Sequence, residues 1–116
     1  MNVEELTGYC QSFDHSTTEI QWGNVLVFKV EGKMFCFVAL DESPLKMNLK
    51  CDPEEAVELR ERFPAVTPGF HMNKKYWNTI TLDETISDSL IRLWIENSYR
   101  LVVAKLPKNR REQLSL

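Results

Sequence analysis

The sequence predicts a two-layer α+β sandwich: a mostly antiparallel five-stranded sheet with helices packed on one face. Two observations carry that expectation. Residues 17–40 read as a three-stranded meander of short apolar runs joined by tight turns. The segments 3–13, 53–62 and 87–106 each carry an apolar stripe at helical spacing, and a single stripe needs a partner layer to bury it.

The elements follow in order. Asn2 with Glu5 forms a capping-box pattern, and Val3, Leu6, Cys10 and Phe13 recur as one helical face over residues 3–13. After Asp14-His15-Ser16, the run TTEIQW alternates, with Thr18, Ile20 and Trp22 on one face, and ends at the turn pair Gly23-Asn24. VLVFKV and KMFCFVAL follow, joined by a two-residue turn at Glu31-Gly32. Both are apolar on nearly both faces, which places them centrally in the sheet. Residues 46–50 alternate polar and apolar as a half-exposed fourth strand, one that sets Lys46, Asn48 and Lys50 on a common side. Asp52 as cap, Pro53 at the first helical position and Glu55 begin a helix over 53–62, with Ala56, Leu59 and Phe63 as its stripe. Pro64 ends it, and Thr67-Pro68-Gly69 suits a type II turn. Residues 70–75 read as irregular or edge, and 77–82 as a strand with Ile80 and Leu82 inward. Ser87 caps the last helical region, with a kink or break expected at Glu96-Asn97-Ser98 and an end at Pro107. Residues 108–116 read as a frayed basic tail.

The bulk numbers bound the class. A chain of 116 residues, 43% hydrophobic and 27% charged, is expected to form one domain over 1–116 and excludes a disordered chain. No apolar run is long enough to span a bilayer, so no membrane partner is expected. The acidic opening MNVEEL is unlike a signal peptide and points to a cytoplasmic protein. Cys10, Cys36 and Cys51 have no C-x-x-C spacing, so they read as reduced, mostly buried thiols. Net charge is −3 but unevenly spread. Residues 1–70 hold six Lys/Arg against twelve Asp/Glu, while residues 71–116 hold eight against five. Such an asymmetry can mark a surface that faces a polyanion.

The stretch TPGFHMNKKYWNTITL, residues 67–82, concentrates the unusual polar residues. Lys74 and Lys75, with Lys46 and Lys50, can meet phosphates as point charges, although exposed lysines also serve solubility. Asn73 and Asn78 can touch base edges, but amides beside turns more often bond the backbone. Tyr76 and Trp77 can stack on bases, yet a Trp at a strand start is more often core, and Trp77 is expected to be buried. His71 has no nucleophile beside it and no paired acid at a recognised spacing, so no catalytic site is predicted, and the chain reads as a non-enzyme. A grouping of Cys51, His71 and Asp83 would require the fold to converge them. Glu54, Glu55, Glu58 and Glu61 share one helix face that suits a metal, but the interleaved Arg60 and Arg62 favour a solvated, salt-bridged face. No metal or cofactor is expected.

Three segments in order carry a resemblance: LKCDPEEA at 49–56, HMNKKYWNT at 71–79, and SYRLV at 98–102 leading to Leu106-Pro107-Lys108. With Phe28-Lys29 and Gly32-Lys33-Met34-Phe35, they make the chain resemble the MmcQ/YjbR family of small bacterial proteins over about residues 25–108. That family is similar in fold to frataxin and to secretion chaperones and is described as DNA-binding with a double-wing motif. The resemblance implies nucleic-acid contacts at Lys50, His71, Asn73, Lys74 and Trp77, to which the charge reasoning adds Lys75. Asp83-Glu84 departs from the family's usual Asp-Gly, which affects turn geometry rather than fold. A monomer that binds DNA is the leading expectation, and a protein-interaction or chaperone-like module using the sheet face or the acidic second helix is the alternative.

Overall fold

The computed structural model describes residues 1–69 and 72–116. Their elements run α1 (Val3–Gln11), β1 (Ser16–Gln21), β2 (Val25–Val30), β3 (Lys33–Ala39), β4 (Lys46–Lys50), α2 (Pro53–Arg62), β5 (Val66–Pro68), β6 (Trp77–Thr81), α3 (Asp88–Ala104) and α4 (Lys108–Gln113). The sheet is antiparallel throughout, in the order β1-β2-β3-β4-β6-β5.

The α+β sandwich is present, with six strands where the sequence predicted five. The extra strand is β5, in place of the expected type II turn: Val66, Thr67 and Pro68 pair with Ile80, Thr79 and Asn78. Proline is tolerated there because β5 forms the sheet edge. Gly69 is needed for close approach rather than for a left-handed backbone. A Cβ on it would lie 3.0 Å from the Trp77 Cβ, and its N–H donates to the Trp77 carbonyl at 3.0 Å.

Local chemistry explains the helix starts. The side chain of Asn2 accepts from the Glu5 N–H at 2.8 Å, that of Asp52 from Glu54 at 3.2 Å, and that of Ser87 from Leu90 at 3.3 Å. The Glu31-Gly32 turn has positive φ at both residues, 50° and 74°, as a tight hairpin requires.

One face of the sheet is covered by the helices. There Leu6 and Cys10 of α1, Ala56 and Leu59 of α2, and Ile91, Trp94, Ile95 and Val102 of α3 close over Phe28, Phe35, Met47 and Ile80. Two expectations fail on this side. α3 runs unbroken through Glu96-Asn97-Ser98, because Ser98 is buried and spends its hydroxyl on neighbouring strands instead of on its own helix. The tail expected to fray forms α4, held by Arg110 donating to Glu31 at 2.9 and 3.2 Å and by His15 Nε2 contacting the Leu114 carbonyl at 2.9 Å.

Candidate nucleic-acid interface

Among the described residues no helix packs on the opposite face of the sheet, and β4 crosses it. Met47 and Leu49 point into the helix-covered core, so strict alternation sends Lys46, Asn48 and Lys50 to the uncovered side. In register they sit across from Thr81, Thr79 and Trp77 of β6. The Thr79 hydroxyl donates to Asn48 Oδ1 at 2.6 Å, which ties the two strands together mid-face. Around them a second apolar cluster forms from Val27, Phe37 and Trp77, flanked by Val25, Met34, Met72 and Tyr76.

Trp22 joins this face against expectation. It lies in the β1–β2 turn with φ 51° instead of continuing the strand, and that left-handed backbone takes it off the Thr18–Ile20 side. Its ring meets Phe37 edge-on at 6.3 Å, with 67% of the residue exposed. Together Trp22, Phe37, Met72, Lys46, Asn48 and Thr79 line a groove.

The turn before β6 presents the lysine pair. The Asn73 side chain accepts from the Lys75 N–H at 3.0 Å, and its carbonyl accepts from Tyr76 and Trp77 at 3.0 Å each, so Asn73 shapes the turn through the backbone. Arg60 of α2 clamps the same turn. It donates to Asn78 Oδ1 at 2.6 Å, to the Trp77 carbonyl at 3.3 Å and to the Lys74 carbonyl. Asn78, 2% exposed, completes the tie by donating to the Ala56 carbonyl at 3.3 Å. The expectation of Arg60 and Arg62 in a salt-bridged helix face is therefore corrected: Arg60 turns to the loop, and Arg62 lies 5.4 Å over the Phe63 ring.

Of the sequence-predicted site residues, Lys50 lies on the uncovered face, and Asn73, Lys74 and Lys75 lie on the turn at its border. Trp77 is 7% exposed, as expected of a core Trp, and supports the face from beneath. His71 lies outside the described residues, and the imagined Cys51, His71 and Asp83 grouping with it. Two further lysines, neither among the predicted site residues, adjoin this group. Lys105 lies 5.9 Å from the Tyr76 ring centroid, with Lys75 at 5.7 Å from the same ring. Lys33 opens β3 near Lys50. Partial burial lowers the Lys50 pKa, and the positive charges of Lys105 and Lys33 lower it further. No local pattern announced this grouping, because Lys33, Lys50 and Lys105 come from three separate elements.

Ser98 fixes the backbone beneath Lys50. Its hydroxyl accepts from the Lys50 N–H at 2.8 Å and donates to the Phe35 carbonyl at 2.5 Å, binding α3 to β3 and β4. Elsewhere the chemistry is quiet. The three cysteines are free and buried, and burial pushes the Cys51 thiol up to about 11, so it stays protonated near neutrality. Asp83 is occupied by the Thr85 hydroxyl at 2.6 Å and by its N–H at 3.1 Å. Among the described residues no cluster of three or more His, Cys, Asp or Glu side chains is placed to hold a metal, and no helix is long and apolar enough to cross a membrane.

Comparison with known proteins gives this arrangement relatives. The YjbR family model matches residues 11–101. The uncharacterized protein YjbR of Escherichia coli K12 is 33% identical over 116 residues, covering 98% of each chain. The uncharacterized protein YbdF of Escherichia coli O157:H7 is 39% identical over 82 residues, covering 71% of this chain and 67% of that one. A Deinococcus radiodurans crystal structure of a DUF419 domain superposes with a TM-score of 0.95 at 36% identity, covering 99% of this chain and 88% of the other. A Pseudomonas syringae crystal structure shares the fold at a TM-score of 0.75 and 24% identity, covering 88% of this chain and 99% of that one.

Proposed function

This chain belongs to the YjbR family, and on that premise we propose that it is a non-enzymatic DNA-binding protein that meets phosphates mainly through lysine side chains. One observation carries the reading: the uncovered sheet face displays Lys46, Asn48 and Lys50 in a row, bordered by the turn that bears Asn73, Lys74 and Lys75. A row of ammonium groups and amides on a strand can follow a phosphate backbone, while the buried Trp77 keeps the floor rigid. The reading includes the double-wing mode and frataxin-like kinship that the family resemblance implies, and a cytoplasmic location. None of the relatives named above bears an enzyme's name.

A second reading has one observation of its own. Trp22, largely exposed beside the groove, suits a protein-interaction or chaperone-like module that takes an apolar side chain there. Fluorescence anisotropy of labelled single- and double-stranded DNA, titrated from low to physiological salt, separates the two. The DNA reading expects log K to fall with log salt by about 0.7 per phosphate on single strands and about 0.9 on duplexes. Lys74→Glu/Lys75→Glu is expected to weaken binding further. Absence of binding even at low salt overturns it and leaves the Trp22 reading.

A further inference from the structure

We propose that the recess where β3, β4 and the C-terminal end of α3 meet is a phosphate-binding site, with Lys33, Lys50 and Lys105 as its cationic ligands. The proposal rests on the DNA reading for the source of the phosphate, and it places the main contact in this recess, at the Lys50 end of the β4 row.

Trp77, Val102 and Pro107 supply apolar wall, and the three lysines supply the charge. Among the described residues none of the three is in an ion pair. The side-chain ion pairs instead join Lys29 to Glu19, Arg100 to Glu96 and Arg110 to Glu31. Three like charges around a partly dry recess repel one another, and Lys50 bears most of that cost because burial disfavours its charged form while Lys105 and Lys33 add to the effect. An entering oxyanion reverses the sign: repulsion among the ammonium groups becomes attraction to a shared centre, with charge-assisted hydrogen bonds. Phosphate fits better than carboxylate. Its oxygens spread tetrahedrally and can serve three donors arriving from three elements, whereas a carboxylate offers two oxygens in one plane.

The position is useful as well as the charge. Lys50 continues the row from Lys46 and Asn48, so a strand seated in the recess passes along β4. Lys105 also lies beside the Tyr76 ring, as Lys75 does, so the recess and the turn form one basic margin.

The full chain is tested by thermal unfolding at matched ionic strength in inorganic phosphate and in chloride, and by single-strand anisotropy. Wild type is expected to melt higher in phosphate than in chloride. Lys50→Met removes a desolvated charge but keeps the stem, so it should melt higher than wild type in chloride and lose the phosphate response. Should Lys50→Met fail to fold, Lys33→Met/Lys105→Met, at two exposed positions, carries the same comparison. Both variants should bind single strands about tenfold more weakly, as loss of a charged hydrogen bond implies. An equal phosphate response in wild type and variants overturns the site. DNA binding that survives both variants but falls with Lys74→Glu/Lys75→Glu upholds the DNA reading and overturns the recess. A phosphate response lost in the variants, with no DNA binding at any salt, upholds the recess as a site for a free phosphate compound and overturns the DNA reading.

Discussion

Ser98 satisfies two strand groups with one hydroxyl, the Lys50 N–H and the Phe35 carbonyl, at a position with no exposed surface. Ser98→Ala removes the partner of both, and leaving the buried Phe35 carbonyl unsatisfied costs about 1–3 kcal/mol, with a smaller loss at the partly buried Lys50 N–H. Chemical denaturation should show a lower midpoint with an unchanged m-value, since the surface exposed on unfolding is the same. The same substitution releases the backbone under Lys50, so a weaker phosphate response should accompany the lower midpoint. Lys50 itself predicts a pH effect. Its pKa is lowered in the folded chain, so between the folded and unfolded pKa values the unfolded state holds more protons, and stability rises with pH through that window. Phosphate affinity should move the opposite way, complete below the folded pKa and fading as Lys50 deprotonates. Melting curves at stepped alkaline pH, with and without phosphate, check both signs, and Lys50→Met should flatten both slopes.

Elements defined by their own residues were legible in the sequence; those defined by distant partners were not. The Asn2, Asp52 and Ser87 caps, the Glu31-Gly32 turn and the alternation of β4 each depend on residues within one turn or strand, and each is found where its pattern placed it. The break expected in α3 and the frayed tail failed for the converse reason. Ser98 is reconciled with its helix by strands 48 and 63 residues away, and Arg110 is held by Glu31 from 79 residues away. The candidate site divides along the same line: Lys46, Asn48 and Lys50 on one face could be read from period two, but the approach of Lys33 and Lys105 could not. Arg60 is another long-range case, since its partners Lys74, Trp77 and Asn78 lie 14 to 18 residues on. Arg60→Ala leaves the buried Asn78 Oδ1 without its donor, at about 1–3 kcal/mol, and frees the turn that bears Lys74 and Lys75. Hydrogen exchange should quicken at residues 74–77 while α3 keeps its protection. Uniformly faster exchange would mean that Arg60 supports the whole domain rather than the turn.

The charges of the whole molecule work against those of its sheet face. Net charge is −3, and the outer surface of α2 carries exposed Glu58 and Glu61, while Lys46 and Lys50 stand on the other side of the sheet. Which set a nucleic acid senses depends on how far the field reaches. The molecule measures 40 × 30 × 26 Å, and the Debye length is about 10 Å at 0.1 M salt but about 30 Å at 0.01 M. Near physiological salt the helix-layer acids are therefore screened from a strand lying on the sheet face, and only local lysines count. At 0.01 M the screening length spans the molecule and the acids repel the same strand. The plot of log K against log salt should accordingly be linear near 0.1 M and flatten toward 0.01 M, where a uniformly basic binder would keep climbing. Glu58→Gln/Glu61→Gln on the outer face of α2 tests the cause: it should strengthen DNA binding at 0.01 M and leave it unchanged at 0.15 M. An equal gain at both salts would place these acids within direct reach of the strand and move the interface from the sheet to the helix layer.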